Sequence, residues 1–356
     1  MNIYKICYKV VSFKMNIAKE LLHKLFSYEE EILCGRDFEP DINCPVSVKS
    51  YDETHILLEI FGIKIKFPKR EYSKLKKQNP FYKYKARGVD ITKLPPAQGR
   101  IRDIQLANLV LLKELDYVCR QSKLSYWLDG GTLLGAVRHK GYIPWDDDID
   151  VGMLFDDYEK IIGAFENFSR DKNIYAQYFK DKRNPDIYMI KVLHKKCPHL
   201  FVDIFPFYRY GKTLTTTEQV HITKEIKKIR KNVLSNIDFC TNDSELKQLH
   251  QKTMNEKILC INDEIPQNSD LVWGIQYNHC WNNWFTRYDV IFPIKPIIFE
   301  GYEFMGMNNP QAFLSRVYGD YMSYPSKITF GHSAYKKLGK EEERIIKNYA
   351  NNYNKK

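Results

Sequence analysis

Residues 126–153, YWLDGGTLLGAVRHKGYIPWDDDIDVGM, place Asp146, Asp147, Asp148 and Asp150 within five consecutive positions of a chain that is otherwise basic. Like charges at that spacing repel and disfavour one another's ionised form. A partner for them is therefore the first thing to look for. In an extended segment successive side chains alternate faces, so Asp148 and Asp150 point the same way while Ile149 and Val151 point into a core. Their attachment points lie roughly 7 Å apart, from two steps of about 3.3 Å. Carboxylates reaching from there can converge on a hard divalent cation, and Mg²⁺ characteristically takes one or two carboxylates together with substrate phosphates. An acidic surface turn is the plainer alternative for the Asp run taken alone.

The text upstream favours the site. Gly130 and Gly131 directly precede an apolar helical run. Glycines at a helix start let the backbone approach a phosphate, and the free N–H groups there attract anions. A strand, a Gly-Gly helix start and a second strand beginning at Asp-x-Asp, all within about thirty residues, set a phosphate cradle beside a metal site.

The elements that position this window can be read from periodicity. After Pro95, Pro96 and Gly99, the residues Ile104, Leu111, Leu115 and Val118 repeat at helical spacing. Residues 156–169 predict another helix, and IYMIKVLHKK and HLFVDIFPFYRYG predict strands. A helix over 218–237 presents Ile222, Ile226, Ile229, Val233 and Ile237 on one face and Lys224, Lys227, Lys228 and Lys231 on the other. Another helix is expected near 244–260. Towards the N-terminus, residues 16–33 predict a helix and HILLEIFGIKIKF a strand pair turning near Gly62. A Lys- and Tyr-rich stretch follows at 69–87, read either as a linker or as peripheral membrane contact with an anionic surface. The Lys/Glu/Asn-rich tail from about 335 is expected to fray.

The longer text LDGGTLLGAVRHKGYIPWDDDIDVGM resembles the LicD/fukutin-related phosphotransferases, members of the polymerase-β-like nucleotidyltransferase superfamily. The likeness runs through Arg138, Gly141, Pro144, Trp145 and the Asp run. It continues in Phe299, Glu300, Gly301 and in Tyr318, Gly319, Asp320, Tyr321, Pro325, and so covers roughly residues 100–330. The resemblance implies an α+β fold, a nucleotidyltransferase-type mixed sheet flanked by helices, with an N-terminal accessory region and C-terminal helical elaborations. The domains expected are 1–90 accessory, 95–335 catalytic and 336–356 a polar tail. It also implies a third carboxylate on a later strand, which Asp203 in LFVDIFPFY supplies. An Asp in an apolar strand needs a partner, because burying an unpaired charge is costly; a metal or a buried ion pair would serve.

The activity implied is transfer of a phospho-alcohol unit, phosphocholine or similar, from a CDP-linked donor to a sugar of a cell-surface glycan. Asp148, Asp150 and Asp203 would be catalytic metal ligands for Mg²⁺, with Mn²⁺ as the alternative. Gly130, Gly131, Thr132 and Arg138 would hold the donor phosphates. Asp146, sharing the parity of Asp148, is a candidate extra ligand, and Asp147 a supporting residue. His139 is weighed as a general base against an ordinary solvent-facing histidine, Trp145 as a stacking platform against a packing residue, and His332 as a substrate contact against a loop polar group. The competing readings are transfer of NMP from an NTP and a non-catalytic nucleotide- or glycan-binding protein.

Composition bounds these readings. The chain has 356 residues and a net charge of +11, which favours anionic partners without choosing among them. The basic residues are dispersed and no RNA or DNA recognition motif occurs, so nucleic acid is not an expected partner. Eight scattered cysteines include no C-x-x-C pair, which argues against a zinc site and for free thiols. No window approaches the apolar length of a membrane-spanning helix, and the N-terminus lacks a cleavage signal. A cytoplasmic location is expected, peripheral to the inner face of the membrane if residues 69–87 dock there.

Overall fold

The computed structural model describes residues 46–50, 55–60 and 63–68, then 84–325 apart from 182–183, 239, 260–264 and 278, and finally 338–353. The chain divides into two compact units, Met1–Lys83 and Tyr84–Lys356. In the first, β1 (Val46–Ser50), β2 (His55–Ile60) and β3 (Ile63–Pro68) form an antiparallel sheet in that order. Ile60 faces Ile63 across the turn, as the alternating pattern predicts, and β1 adds a strand to the other edge of β2. The helix expected over 16–33 and most of the basic stretch 69–87 lie outside the described residues.

The second unit opens with α1 (Arg100–Ser122), whose apolar positions Ile104, Leu111, Leu115 and Val118 are fully buried. Then come β4 (Trp127–Leu128), α2 (Gly130–His139) and β5 (Asp150–Leu154). The single helix expected over 156–169 is two pieces, α3 (Phe155–Tyr158) and α4 (Ile161–Phe168). The break falls after Tyr158, which turns fully inward so that its hydroxyl accepts the Ile190 N–H at 2.6 Å. Next are β6 (Ile174–Lys180), β7 (Tyr188–His194) and the long β8 (Cys197–Arg209).

β8 is the spine of a seven-stranded mixed sheet. Along one edge it pairs parallel with β5, and β5 in turn pairs antiparallel with β4. Along the other edge its first part pairs with β7, which carries β6, and its last part with β9 (Leu271–Trp273), which carries β10 (Phe285–Thr286). Side chains alternate across this sheet as strand geometry requires. Val192, Val202, Ile204 and Val151 are buried on one face, whereas Lys191, Asp203 and Asp150 point to the other. That second face carries the chemistry.

Two expectations change in the C-terminal half. The helix α5 (Thr216–Leu234) buries Gln219, Thr223, Ile226, Arg230 and Leu234, and leaves Ile222, Ile229 and Val233 only half-buried. The stripe is rotated because polar partners compete for the inner face: Thr223 Oγ1 accepts the Trp284 N–H at 3.0 Å, and Arg230 pairs with Asp186 at 2.6 Å. Lys227, expected to be solvated, donates to the Trp281 carbonyl at 2.7 Å. After α6 (Asp243–Thr253), α7 (Tyr288–Ile291) and α8 (Pro310–Tyr318), the tail expected to fray contains α9 (Lys340–Tyr353), with Ile345, Ile346 and Ala350 buried against α1 and β8. Three apolar residues on one side of a charged segment suffice to dock it.

Candidate active site

Asp150, the first residue of β5, stands directly beside Asp203 of β8 in the parallel register, and the Asp203 N–H donates to the Ile149 carbonyl at 2.9 Å. Neighbouring strands lie about 4.8 Å apart and register partners share a face, so these two carboxylates, distant in sequence, belong to one site. The strand begins at Asp150 rather than earlier; Asp146–Ile149 form an extended lead-in, with Asp147 and Ile149 buried and Asp146, Asp148 and Asp150 half-buried. The parity expected for 146, 148 and 150 is thus kept without strand pairing. Burial, then the charges of Asp148, Asp147 and Asp150, pushes the Asp146 carboxyl well above the usual carboxylate range.

The Gly-Gly helix start fits against these acids. A Cβ on Gly130 would meet Asp150 Oδ2 at 2.6 Å, and one on Gly131 would meet Asp146 Oδ2 at 2.7 Å. Gly130 also has φ +50°, a conformation that other L residues rarely adopt. The glycines therefore make room for two carboxylates as well as baring the first N–H groups of α2. Asp129 caps that helix, accepting the Gly130 N–H at 2.9 Å, and its full burial pushes its carboxyl up to about 7. The buried Thr132 hydroxyl accepts the Asp150 N–H at 2.8 Å. Its place is behind Asp150, bracing the strand start, whereas the sequence reading aims it at a phosphate.

Arg138 and His139, at the far end of α2, are engaged with each other. Arg138 donates through Nε to His139 Nε2 at 3.0 Å and through Nη1 to the Tyr321 carbonyl at 2.6 Å. The arginine expected on phosphate thus ties α2 to the Gly319–Tyr321 segment. Burial and the adjacent guanidinium hold the His139 pKa down at about 3, and its Nε2 lone pair is already taken. That removes it as a general base. Trp145 is buried, a packing residue here, and His332 lies outside the described residues.

What holds the acidic segment was not visible as a motif. α1 carries a polar series at i, i+3, i+6: Arg102, Gln105 and Asn108. Gln105 Nε2 donates to the Asp146 carbonyl at 2.6 Å. The fully buried Asn108 donates to the Asp147 carbonyl at 2.7 Å and accepts the Phe201 N–H at 3.0 Å, so one side chain joins the acidic segment to the strand of Asp203. Arg102 grips Glu300 at 2.9 and 2.6 Å. Glu300 lies between β11 (Lys295–Phe299) and β12 (Tyr302–Gly306), accepts the Tyr142 N–H at 3.0 Å and donates its own N–H to the Lys140 carbonyl at 2.8 Å. The Phe-Glu-Gly segment is therefore the clasp on the loop leading to the aspartates.

The donor set suits a hard cation. It is all carboxylate, and Asp146 carries the charge of Asp148, Asp147 and Asp150 beside it. Among the described residues no three His, Cys, Asp or Glu side chains stand grouped so as to hold a metal ion. Asp203 Oδ1 lies 2.8 Å from Lys191 Nζ, an ion pair whose angle falls short of a hydrogen bond. Tyr277 stands close enough to Asp203, Asp150 and Asp148 for their charge to add to burial in pushing its hydroxyl pKa up.

A mixed α+β sheet with an acid at the start of one strand beside an acid within its parallel neighbour, next to a Gly-Gly helix start, defines a nucleotidyltransferase-like domain. Residues 123–243 match the family model described as LicD/FKTN/FKRP, nucleotidyltransferase domain. The match spans 121 of the chain's 356 residues. The chain is similar to the lipopolysaccharide cholinephosphotransferase LicD of Haemophilus influenzae, 27% identical over 252 residues, which is 63% of this chain and 92% of the relative. It is also similar to an uncharacterized protein of Rickettsia prowazekii, 34% identical over 118 residues, 28% of this chain and 44% of that one. The human ribitol 5-phosphate transferase FKRP is 32% identical over 108 residues, 28% of this chain and 20% of the relative. Among the described residues no helix is long and apolar enough to cross a membrane.

Proposed function

We propose that this protein transfers a phospho-alcohol unit from a CDP-linked donor to a sugar hydroxyl of a cell-surface glycan, in a reaction that depends on Mg²⁺. The observation that carries this is the register pairing of Asp150 with Asp203 beside the Gly130–Gly131 helix start. The named activities of the LicD and FKRP relatives support phosphate-group transfer as its class. Asp148, Asp150 and Asp203 would hold the ion, with Asp146 as a further candidate. A divalent ion bound there neutralises charge developing on the diphosphate and fixes the in-line geometry.

The chain's own groups do the rest. The Gly130 N–H is taken by Asp129, and the N–H groups that follow it in the first turn of α2 would attract the donor phosphates. Gln105 and Asn108 hold the acid backbone so that its carboxylates do not splay apart under their own repulsion. Asp203, besides completing the metal site, would help take the proton of the acceptor hydroxyl. Incubation with CDP-choline, CDP-ribitol and CTP, each with and without Mg²⁺, tests the reading. Release of CMP from a CDP-alcohol only with Mg²⁺ supports it. Pyrophosphate release from CTP, with no reaction of either CDP-alcohol, would assign nucleotidyl transfer instead.

A further inference from the structure

The site face of the sheet carries a basic residue that the carboxylate account does not use. Lys191 of β7 is the direct register partner of Asp203, which is the register partner of Asp150, so the three residues form one row across three adjacent strands. The Lys191 ammonium lies 2.8 Å from Asp203 Oδ1, and both side chains are largely buried, 14% and 10% exposed. It is flanked by the Phe201 and Phe179 rings, with Nζ 4.4 and 4.8 Å from their centroids. The same face is open beyond it, since Gln177, paired to Lys191 on β6, and Phe179 are exposed.

This arrangement sets a conflict. A divalent ion held by Asp203 would share its carboxylate with this ammonium. An ion arriving there places two positive groups together, and like charges so close repel strongly. Lysine has a flexible four-carbon stem and three rotatable donors, which lets it leave one anion for another nearby. The row leads from Lys191 through Asp203 to Asp150, which lies against the start of α2, so a diphosphate bound at that helix start lies along the row from the ammonium.

We propose, resting on the metal and phosphate reading above, that Lys191 is the resident counter-cation of the carboxylate row: it neutralises Asp203 until a divalent ion binds, then moves onto a phosphate oxygen of the donor. It is thus a competitor of the metal alone and an ally of the metal with diphosphate.

The test is Mn²⁺ titration of the full chain, read by water-proton relaxation, with and without inorganic pyrophosphate, in wild type, Lys191→Met and Lys191→Arg. Lys191→Gln, which keeps a donor to Asp203, replaces the Met variant if that one does not melt cooperatively. Without pyrophosphate, removing the competing charge should tighten Mn²⁺ about threefold, the scale of a partly exposed ion pair. With Mn²⁺ present, losing a charge-assisted contact should weaken pyrophosphate about tenfold. Lys191→Arg should stay near wild type in both arms. Unchanged or weaker Mn²⁺ binding in Lys191→Met, or tighter Mn²⁺ with unaltered pyrophosphate, overturns this inference while leaving the carboxylate site intact. A wild-type protein that takes up no Mn²⁺ overturns the proposed function and this inference together.

Discussion

Asn108 offers the sharpest check on how the site is held together. It is fully buried in α1 and makes two bonds, to the Asp147 carbonyl at 2.7 Å and from the Phe201 N–H at 3.0 Å. Asn108→Leu keeps the volume and removes both, stranding one acceptor on the acidic segment and one donor on the strand of Asp203. An unsatisfied buried polar group costs about 1–3 kcal/mol. Two of them, with some local relaxation, should cost about 3 kcal/mol in all. For a domain of this size that lowers the melting midpoint by roughly 6–12 °C, at about 2–4 °C per kcal/mol. Chemical denaturation with an unchanged m-value would give the free energy directly. Turnover at a temperature where the variant is still folded should fall more than stability alone explains, because the spacing of Asp148 and Asp150 from Asp203 is no longer fixed. A stability loss below about 1 kcal/mol, less than a single stranded group should cost, with turnover intact would refute the claim that this side chain couples the two acidic segments.

Further expectations concern the clasp, the glycines and acid pH. Glu300→Ala leaves Arg102 facing a site without its carboxylate and frees the Tyr142 N–H; truncating one partner of a largely buried, doubly bonded pair should cost about 2–4 kcal/mol, read by urea unfolding. Gly130→Ala places a Cβ 2.6 Å from Asp150 Oδ2 at φ +50°, so it should lose about 1–2 kcal/mol from the backbone alone, and far more in turnover as the carboxylate is displaced. Burial, and then the charge of Arg230, holds the His250 pKa down at about 3, from an ordinary 6.5. The unfolded chain therefore binds a proton there between pH 6.5 and 3 that the folded chain refuses. Stability contributed by neutral His250 is complete above pH 6.5 and is lost as pH falls toward 3, with a slope up to about 1.4 kcal/mol per pH unit. His250→Leu should flatten the loss of stability between pH 7 and 5, measured by denaturant midpoints; an unchanged slope would remove it from the cause.

The parts of the site that could be read in advance are those whose partners are close in sequence or whose environment is uniform. Asp146–Asp150 and the Gly130–Gly131 pair lie within one short window, and strand parity fixes which carboxylates share a face. Asp203 is marked by the resemblance, which implies a third carboxylate on a later strand, and by the need of an acid in an apolar strand for a partner. Glu300 resisted assignment because its partner Arg102 is 198 positions away. The Arg102–Gln105–Asn108 series was present as text, but only the fold shows that backbone carbonyls wait opposite it. For Thr132 and Arg138 the side-chain direction depends on which neighbour offers a partner, here the Asp150 N–H and the Tyr321 carbonyl. The rotated stripe of α5 and the docked α9 share a cause, since tertiary partners decide which face a weakly patterned helix turns inward.

A double-substitution cycle on Asp150 and Asp203, scored by Mg²⁺-dependent CMP release from the best CDP-alcohol, tests the central claim most directly. Groups that act as one unit are grossly non-additive, so each of Asp150→Asn and Asp203→Asn should lower turnover by about 100-fold or more, and the double variant should be no worse than the poorer single. Losses that multiply in the double variant, or near-normal turnover in either single one, would show that the two carboxylates do not share a site.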